Sequence, residues 1–325
     1  MAGRSALFRA FRWAIHRGES LRASLRARAL HELTGVKESQ RALLRRRGLH
    51  LSRDLGQNFL TEGQTAERLV AAAGVRRGDS VIEVGVGLGA LSRALTEQGA
   101  LVVGIEIDSG LVQALREEEG LLPAGVELLH ADALDLDWSA LIERLPTPVR
   151  VVANLPYSAA TPLLRTLLDH RDHLADWSVM VQQELAARII ARPGGSDYGS
   201  LAALHALTVD VDRVLDLGPG QFFPAPRVHS SFVRVWPRAT PLLEPDELLW
   251  VERVLRTAFS QRRKTLLNAL RSGGLGDGYS RERIEGAIEQ SGIDPRVRAE
   301  ALNPQQLLEL ARSLRAPSRS SSALD

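Results

Sequence analysis

The architecture of the chain is specified by the sequence Ser80-Val81-Ile82-Glu83-Val84-Gly85-Val86-Gly87-Leu88-Gly89. An apolar strand over residues 80–84 enters a glycine-rich turn, and a helical pattern follows from Ala90 to Gln98. A strand, a glycine turn and a helix in this order form the first unit of a nucleotide-binding α/β sheet. Glycine allows a ligand to approach the backbone closely. Because dinucleotide enzymes use similar turns, the glycine spacing alone leaves the ligand open.

Acidic side chains follow the next two predicted strands. The second strand, residues 101–105, ends at Glu106, and an acid at this point typically binds ribose hydroxyls. The third strand, residues 126–130, is followed by Asp132, which can accept a hydrogen bond from the amino group of an adenine. The glycine turn and the two acids therefore predict a site for a ligand that contains adenosine.

The fourth predicted strand, residues 149–153, runs into the turn Asn154-Leu155-Pro156-Tyr157. The residue before a proline is pushed out of the α region, so the turn is extended at Leu155. Asn154 Oδ1 and a main-chain carbonyl can accept two hydrogen bonds from an exocyclic amino group, while Tyr157 stacks on the base. Taken alone, the turn also fits a strand end around a buried tyrosine. With the upstream pattern it predicts methyl transfer to nitrogen from S-adenosylmethionine, since a dehydrogenase does not need this turn.

The composition of the 325 residues is that of a soluble globular protein, with 44% apolar and 25% charged residues. There is no cysteine, which excludes disulfides, thiolate metal sites and cysteine nucleophiles. No apolar run approaches the ~18 residues that span a bilayer. The net charge is only +2, but arginines crowd the first fifty residues and recur at Arg262-Arg263-Lys264. Basic patches on a nearly neutral protein favour a polyanionic partner over a small acidic substrate.

The chain divides into four predicted segments. Residues 1–36 form a basic extension, either an organelle transit peptide or, as we favour, a segment that adds affinity for RNA. Residues 37–238 form the methyltransferase domain. Residues 246–315 form a small helical domain in which Arg262, Arg263 and Lys264 lie on a helix over 261–270 and contact RNA phosphates, although a solvated face is the alternative. The Ser-rich residues 316–325 are predicted to be disordered.

Two further loops contain candidate site residues. Residues 56–60 read Gly-Gln-Asn-Phe-Leu and precede a helix that Thr61 is predicted to cap. Residues 222–228 read Phe-Phe-Pro-Ala-Pro-Arg-Val, a stiff loop in which Phe222 or Phe223 can form the second stacking face for a base. The alternative is that both rings belong to the core.

Over residues 38–314 the chain resembles the KsgA-type ribosomal RNA adenine dimethyltransferases of the small subunit. The motifs that support the resemblance are Gly56-Gln57-Asn58-Phe59-Leu60, Glu83-Val84-Gly85-Val86-Gly87, Asn154-Leu155-Pro156-Tyr157, Phe222-Phe223-Pro224-Ala225-Pro226-Arg227-Val228, Phe259-Ser260-Gln261-Arg262-Arg263-Lys264-Thr265 and Gly292-Ile293-Asp294-Pro295-Arg296-Val297-Arg298-Ala299-Glu300. One departure is Val86, which stands where the family usually has proline.

The resemblance implies an α/β fold, a Rossmann-like class I S-adenosylmethionine methyltransferase sheet with a small all-helical C-terminal domain. It implies N6-dimethylation of two adjacent adenosines in the 3′-terminal hairpin loop of 16S rRNA, during maturation of the small ribosomal subunit. We expect a cytoplasmic monomer that uses no metal and binds neither membrane nor DNA. The residues expected to contact S-adenosylmethionine are Asn58, Leu60, Gly85, Glu106, Asp132 and Asn154. The catalytic turn is Asn154, Leu155, Pro156 and Tyr157, with Phe222 as stacking partner of the base.

Three alternatives remain open at this point. A macrolide-resistance methyltransferase shares the fold but modifies large-subunit rRNA, and the basic run 262–264 and the segment 292–295 argue against it. A non-catalytic assembly factor or mitochondrial transcription factor of the same fold would not need the intact turn at Asn154. A DNA adenine methyltransferase would normally have a separate domain that reads the DNA sequence, and we identify none.

Overall fold

A computed structural model of the protein describes residues 44, 46, 47, 49, 56–272, 274–275 and 279–315. The predicted extension over residues 1–36 and the predicted tail over 316–325 lie outside this part of the chain. No helix among the described residues has the length and apolar character to cross a membrane.

A seven-stranded sheet forms the centre of the fold, and a two-stranded sheet lies beside it. The strands are β1 Phe59–Leu60, β2 Ser80–Val84, β3 Leu101–Glu106, β4 Glu127–His130, β5 Val149–Asn154, β6 Asp176–Gln182, β7 Val209–Leu217, β8 Phe222–Phe223 and β9 Ser230–Pro237. The large sheet has the order β4-β3-β2-β5-β6-β9-β7, in which β9 is antiparallel to β6 and β7 and the other pairs are parallel. The order reverses between β2 and β5, and open α/β sheets bind ligands at such a reversal.

Helices cover both faces of the sheet and form the C-terminal region. They are α1 Gly63–Ala72, α2 Ala90–Glu97, α3 Ser109–Glu117, α4 Trp138–Glu143, α5 Tyr157–Asp169, α6 Gln183–Ile189, α7 Ser200–Thr208, α8 Leu248–Ala258, α9 Leu266–Ser272, α10 Arg281–Gln290 and α11 Pro304–Arg315. The prediction that Thr61 caps the first helix is wrong, because the N-cap is Glu62. The Thr61 amide instead donates to the carbonyl of Gln221 (3.0 Å), next to the two-stranded sheet.

Alternate residues of the central strands pack on opposite faces of the sheet, as the period of a strand requires. On one face Ile82 and Val151 join a core that continues through α5 and α7 into α8 and α11. On the other face Val81 and Val152 pack under α1 and α2. Within the C-terminal region, Trp250 on α8 donates its indole N–H to the carbonyl of Ala311 on α11 (2.6 Å), while the first core contains residues of both predicted domains. The first core therefore joins the predicted domains without interruption.

The basic run in the C-terminal region differs from its prediction. Arg262, Arg263 and Lys264 lie in a turn, closed by a bond from Lys264 N to Gln261 O (3.0 Å), and α9 begins only at Leu266. Three consecutive charged residues offer no apolar position for packing, whereas Leu266 is buried. The helix predicted over 261–270 is therefore shorter at its amino end.

An ion network lies at the amino edge of the sheet. Arg150, near the start of β5, donates to Asp79 Oδ2 (2.7 Å) and pairs with Asp176. Asp176 also pairs with Arg234 of β9 (2.6 Å). Both aspartates are buried. The ion pairs with arginine therefore have to compensate each carboxylate for the hydration that it loses on folding.

Candidate active site

A cavity of about 300 Å³ opens at the carboxyl edge of the sheet, where the strand order reverses. Its walls come from the ends of β2, β3 and β5, from the loop after β4 and from the loop that contains β1. All six residues that the sequence predicts to bind the cofactor line this cavity: Asn58, Leu60, Gly85, Glu106, Asp132 and Asn154. Gly85, Glu106, Asp132 and Asn154 lie at or just after the carboxyl ends of four parallel strands, which meet at one edge, whereas Asn58 and Leu60 come from the loop that contains β1.

The glycine turn after β2 approaches its neighbours too closely for side chains. Gly85 and Gly87 have φ values of 79° and 59°, a region that favours glycine. A Cβ on Gly87 would lie 2.8 Å from Cδ1 of Phe59. The turn is fixed by bonds from Gly85 N to Ile105 O (2.9 Å) and from Gly89 N to Val86 O (3.0 Å). The main chain therefore forms this wall of the cavity directly.

Glu106 at the end of β3 is held by the main chain on both carboxylate oxygens. Oε2 accepts from Gly87 N (2.8 Å) and Oε1 accepts from Asp108 N (3.0 Å). Burial raises the pKa of this carboxyl, while the two main-chain bonds act in the opposite direction. The side chain is buried and rigidly placed, with lone pairs left over for hydroxyl groups of a ligand.

The cavity also has apolar walls that suit an aromatic base. Ile107 and Leu134 line it and remain 44% and 40% exposed, unusually high for large apolar side chains. Asp132 lines the same cavity, and its Oδ1 accepts from Leu134 N (2.8 Å). Apolar surfaces beside an acceptor match an adenine ring with its amino group, and Glu106 matches a ribose. The cavity therefore fits S-adenosylmethionine.

Glu83 also lines the cavity, although its sequence context did not predict it as a site residue. It is completely buried, its Oε2 accepts from Ser92 on α2, and its Oε1 has no hydrogen-bond partner among the described residues. Burial raises its pKa to about 8, so the carboxyl is mostly neutral at pH 7. An acid within a strand of otherwise apolar residues was the signal that could have drawn attention to it.

Asn154 ends β5, and its side-chain amide has a defined orientation. Nδ2 donates to the main-chain carbonyl of Asn58 (2.8 Å), which turns Oδ1 to the other side of the amide. Asn58 is fixed in turn by its own Nδ2, which donates to Gly56 O (2.9 Å). The predicted cofactor loop therefore determines how the predicted catalytic amide points.

Tyr157 is the first residue of α5. Pro156 precedes it with extended dihedral angles, φ −61° and ψ 136°. The Tyr157 hydroxyl forms a hydrogen bond with Ser230 Oγ at the start of β9 (2.9 Å). Ser230 was not singled out from the sequence, because its approach depends on the pairing of distant strands.

The two phenylalanines of β8 have different environments. Phe222 is 4% exposed and belongs to the core that covers α1 and α2, so its ring presents no open face to a base. This environment favours the core alternative for Phe222, whose stacking on the base stays a prediction. Phe223 is less buried and packs beside Phe59 and Leu88 at the cavity. It pairs with Phe59 across the two-stranded sheet.

The predicted RNA-contacting side chains stand apart from the cavity. Arg262, Arg263 and Lys264 are all exposed, and none of them lines the cavity. Arg262 pairs with Glu300 (3.3 Å), which also lies near Arg298. Within the described part of the chain, no group of three or more histidines and acids is placed to hold a metal ion.

Comparisons with known proteins agree with this geometry. A family profile described as ribosomal RNA adenine dimethylase matches residues 48–316. The chain is 40% identical over 281 residues to ribosomal RNA small subunit methyltransferase A of Moorella thermoacetica, covering 84% of this chain and 96% of that protein. The protein of the same name from Rhodospirillum rubrum is 40% identical over 275 residues, covering 84% and 91%.

Two solved structures resemble the whole fold. A dimethyladenosine transferase from Plasmodium falciparum has a TM-score of 0.61 at 26% identity, covering 78% of this chain and 95% of that one. The 23S rRNA methyltransferase ErmE has a TM-score of 0.57 at 26% identity, covering 79% and 99%. The matched profile includes every residue of the cavity described above. The chain belongs to the ribosomal RNA adenine dimethylase family.

Proposed function

We propose that the protein dimethylates N6 of two adjacent adenosines in the 3′-terminal hairpin loop of 16S rRNA, with S-adenosylmethionine as methyl donor and the small ribosomal subunit as partner. The observation that supports this most directly is the orientation of Asn154. Its Nδ2 is engaged by Asn58 O (2.8 Å), so Oδ1 is the atom available to accept from an amino group. Adenine N6 is such a group.

In this proposal, different cavity residues bind different parts of the cofactor. Glu106 binds the ribose hydroxyls, Asp132 accepts from the adenine amino group, and the main chain at Gly85 allows close approach of the remainder. When bound, S-adenosylmethionine supplies a methyl group that its sulfonium makes electrophilic. The proposal requires no metal, because the electrophile is already activated.

The catalytic turn acts on the target base by positioning and electrostatics. Asn154 Oδ1 accepts one N–H of the adenine amino group. The carbonyl of Leu155 accepts the other, since that of Pro156 already accepts from Ala159 N (3.0 Å). Both bonds favour a lone pair on N6 that is directed out of the ring plane, and Tyr157 stacks on the ring. The proton lost from N6 passes to water, so no strong base is required.

The small-subunit substrate is favoured over its large-subunit rival by the names of the relatives. The curated relatives from Moorella thermoacetica and Rhodospirillum rubrum are small-subunit enzymes by name, at 40% identity. ErmE, a 23S rRNA methyltransferase, is 26% identical. We therefore assign the exposed turn of Arg262, Arg263 and Lys264 to phosphates of the small-subunit rRNA. In this proposal the protein works as a monomer in the cytoplasm.

The deciding experiment uses labelled S-adenosylmethionine with small subunits that lack the modification. Large-subunit RNA and DNA serve as parallel substrates, and digested nucleosides are separated afterwards. Label in N6,N6-dimethyladenosine from the small subunit alone is the expected result. Label in large-subunit RNA would transfer the protein to the macrolide-resistance type. Tight binding to the small subunit without label would favour an assembly factor.

A further inference from the structure

The catalytic turn is held from two sides, and only one of them belongs to the cofactor site. On the cofactor side, Asn58 O fixes the amide of Asn154. On the other side, the hydroxyl of Tyr157 meets Ser230 Oγ at 2.9 Å. Ser230 lies in β9, outside the lining of the cavity, and is completely buried. Its contact is therefore with the tyrosine of the turn.

The position of Ser230 is fixed by the sheet more firmly than that of a loop residue. It pairs with Gln182 of β6 on one side and with Leu217 of β7 on the other. The preceding carbonyl, that of His229, accepts from Gln183 N (3.0 Å). Tyr157, by contrast, is half-buried at the first residue of α5. The Ser230 hydroxyl, which the sheet holds in place, thus contacts the hydroxyl of Tyr157, a side chain with room to rotate.

We propose that Ser230 is a positioning residue, whose hydroxyl holds the Tyr157 ring in the orientation in which it stacks on the target adenine. The inference rests on the proposed function and names a residue that acts on the base only through Tyr157. A tyrosine ring has two rotatable side-chain bonds, and a hydrogen bond at its tip restricts both. Without the bond, the ring samples orientations that do not stack, and fewer bound bases are placed for transfer.

Ser231 provides a matched control in the next position of the same strand. It is equally buried, and its hydroxyl donates to Asp216 Oδ1 (2.7 Å). Successive residues of a strand point to opposite faces, so Ser231 faces away from Tyr157. Ser230→Ala and Ser231→Ala each remove one buried hydroxyl bond, and we expect similar losses of thermal stability. Only Ser230→Ala should affect methyl transfer.

The kinetic test measures methylation of undermethylated small subunits under single-turnover and steady-state conditions. We expect Ser230→Ala to lower kcat about tenfold, which corresponds to about 1.4 kcal/mol, with KM for the subunit and affinity for S-adenosylhomocysteine unchanged. Tyr157→Phe should lose a similar factor, and the double variant should lose no more than either single one. Equal losses of kcat in Ser230→Ala and Ser231→Ala, or additive losses in the double variant, would overturn the proposal.

A second test observes the contact without any enzyme turnover. The chain has only three tyrosines, so protein labelled with ¹³C at tyrosine Cζ gives three signals, and Tyr157→Phe identifies one of them. The Tyr157 signal should shift in Ser230→Ala and stay in place in Ser231→Ala. An unmoved signal would refute the contact itself. A shifted signal in a protein that methylates no small-subunit RNA would refute the proposed function while leaving the contact intact.

Discussion

Strand β5 places Arg150 at the amino edge of the central sheet and Asn154 at its carboxyl edge, and polar side chains have opposite surroundings at the two edges. At the amino edge, Arg150 and the buried acids Asp79 and Asp176 pair with one another. At the carboxyl edge, Glu106 and Asn154 are held by main-chain groups, and Glu83 keeps one oxygen unpaired among the described residues. Mutual pairing leaves no capacity for a ligand, whereas main-chain support fixes a side chain and leaves acceptors available.

The largest expected effect comes from the carboxyl edge. We expect Asn154→Ala to reduce methylation roughly 100- to 1,000-fold, by analogy with the removal of one preorganised polar group from an active site. Binding of the variant to small subunits should not change. The measurement is initial methylation rate beside subunit binding, with the exposed Asn268→Ala as control. Near-normal turnover of Asn154→Ala would disprove the role of the amide.

Substitutions at the amino edge should lower the stability of the protein and leave its catalytic rate unchanged. Arg150→Met leaves Asp79 and Asp176 buried without their shared partner, so we expect the free energy of unfolding to fall by about 3–5 kcal/mol. Methylation per folded molecule should stay within about twofold of the original. Denaturant unfolding measures the first quantity. Arg144→Met, which breaks an exposed pair with Glu127, should cost no more than about 1 kcal/mol. Equal losses of unfolding free energy in Arg150→Met and Arg144→Met would show that the buried network stabilises the protein no more than an exposed ion pair does.

Glu83 provides the smallest and most diagnostic effect, a pH dependence. Burial raises its pKa from 4.5 to about 8, so between these values the folded protein keeps a proton that the unfolded chain releases. The contribution of Glu83 to the free energy of unfolding should therefore be largest below pH 4.5, and it should be lost as the pH rises through 8. We expect the free energy of unfolding to fall by roughly 2 kcal/mol over this pH range. This is less than the whole pKa shift of Glu83 would give, because the adjoining cavity admits water.

Glu83→Gln removes the ionisation and should flatten stability between pH 5 and 8 relative to the original protein. Thermal unfolding across this pH range measures the difference. The exposed Glu97→Gln is the matched control for the loss of one carboxylate. A profile in Glu83→Gln that still falls across this range to the same extent would mean that Glu83 is already ionised at neutral pH.

Much of the carboxyl edge was predictable because its rules are local. Apolar runs, glycines and the acids that end strands can be read in order, and parallel strands bring their carboxyl ends together. The cavity accordingly collects Gly85, Glu106, Asp132 and Asn154. Ser230 was missed because its contact depends on the antiparallel pairing of β9, which the sequence around it does not encode. Burial of Phe222 and neutrality of Glu83 likewise arise only from tertiary packing.

The amino edge could not be predicted for the same reason. Asp79, Arg150, Asp176 and Arg234 are dispersed over more than 150 positions, and each looks like an ordinary charged residue. The turn at Arg262 was mispredicted from the sequence for a different reason. Its sequence continues a helical pattern, but three charged residues have nothing to pack against, so the helix starts later.

The core that runs from β5 through α7 into α8 and α11 makes the methyltransferase and helical regions one mechanical body. A hinge between them would have to expose side chains such as Leu204 and Leu255, each worth about 1.5–3 kcal/mol when buried. The spacing between the basic turn at Arg262 and Asn154 is therefore a constant of the folded protein. Under the proposed function, an RNA that binds the basic turn must therefore present its target adenosines at that fixed distance. The enzyme would then select its substrate by this distance as well as by sequence.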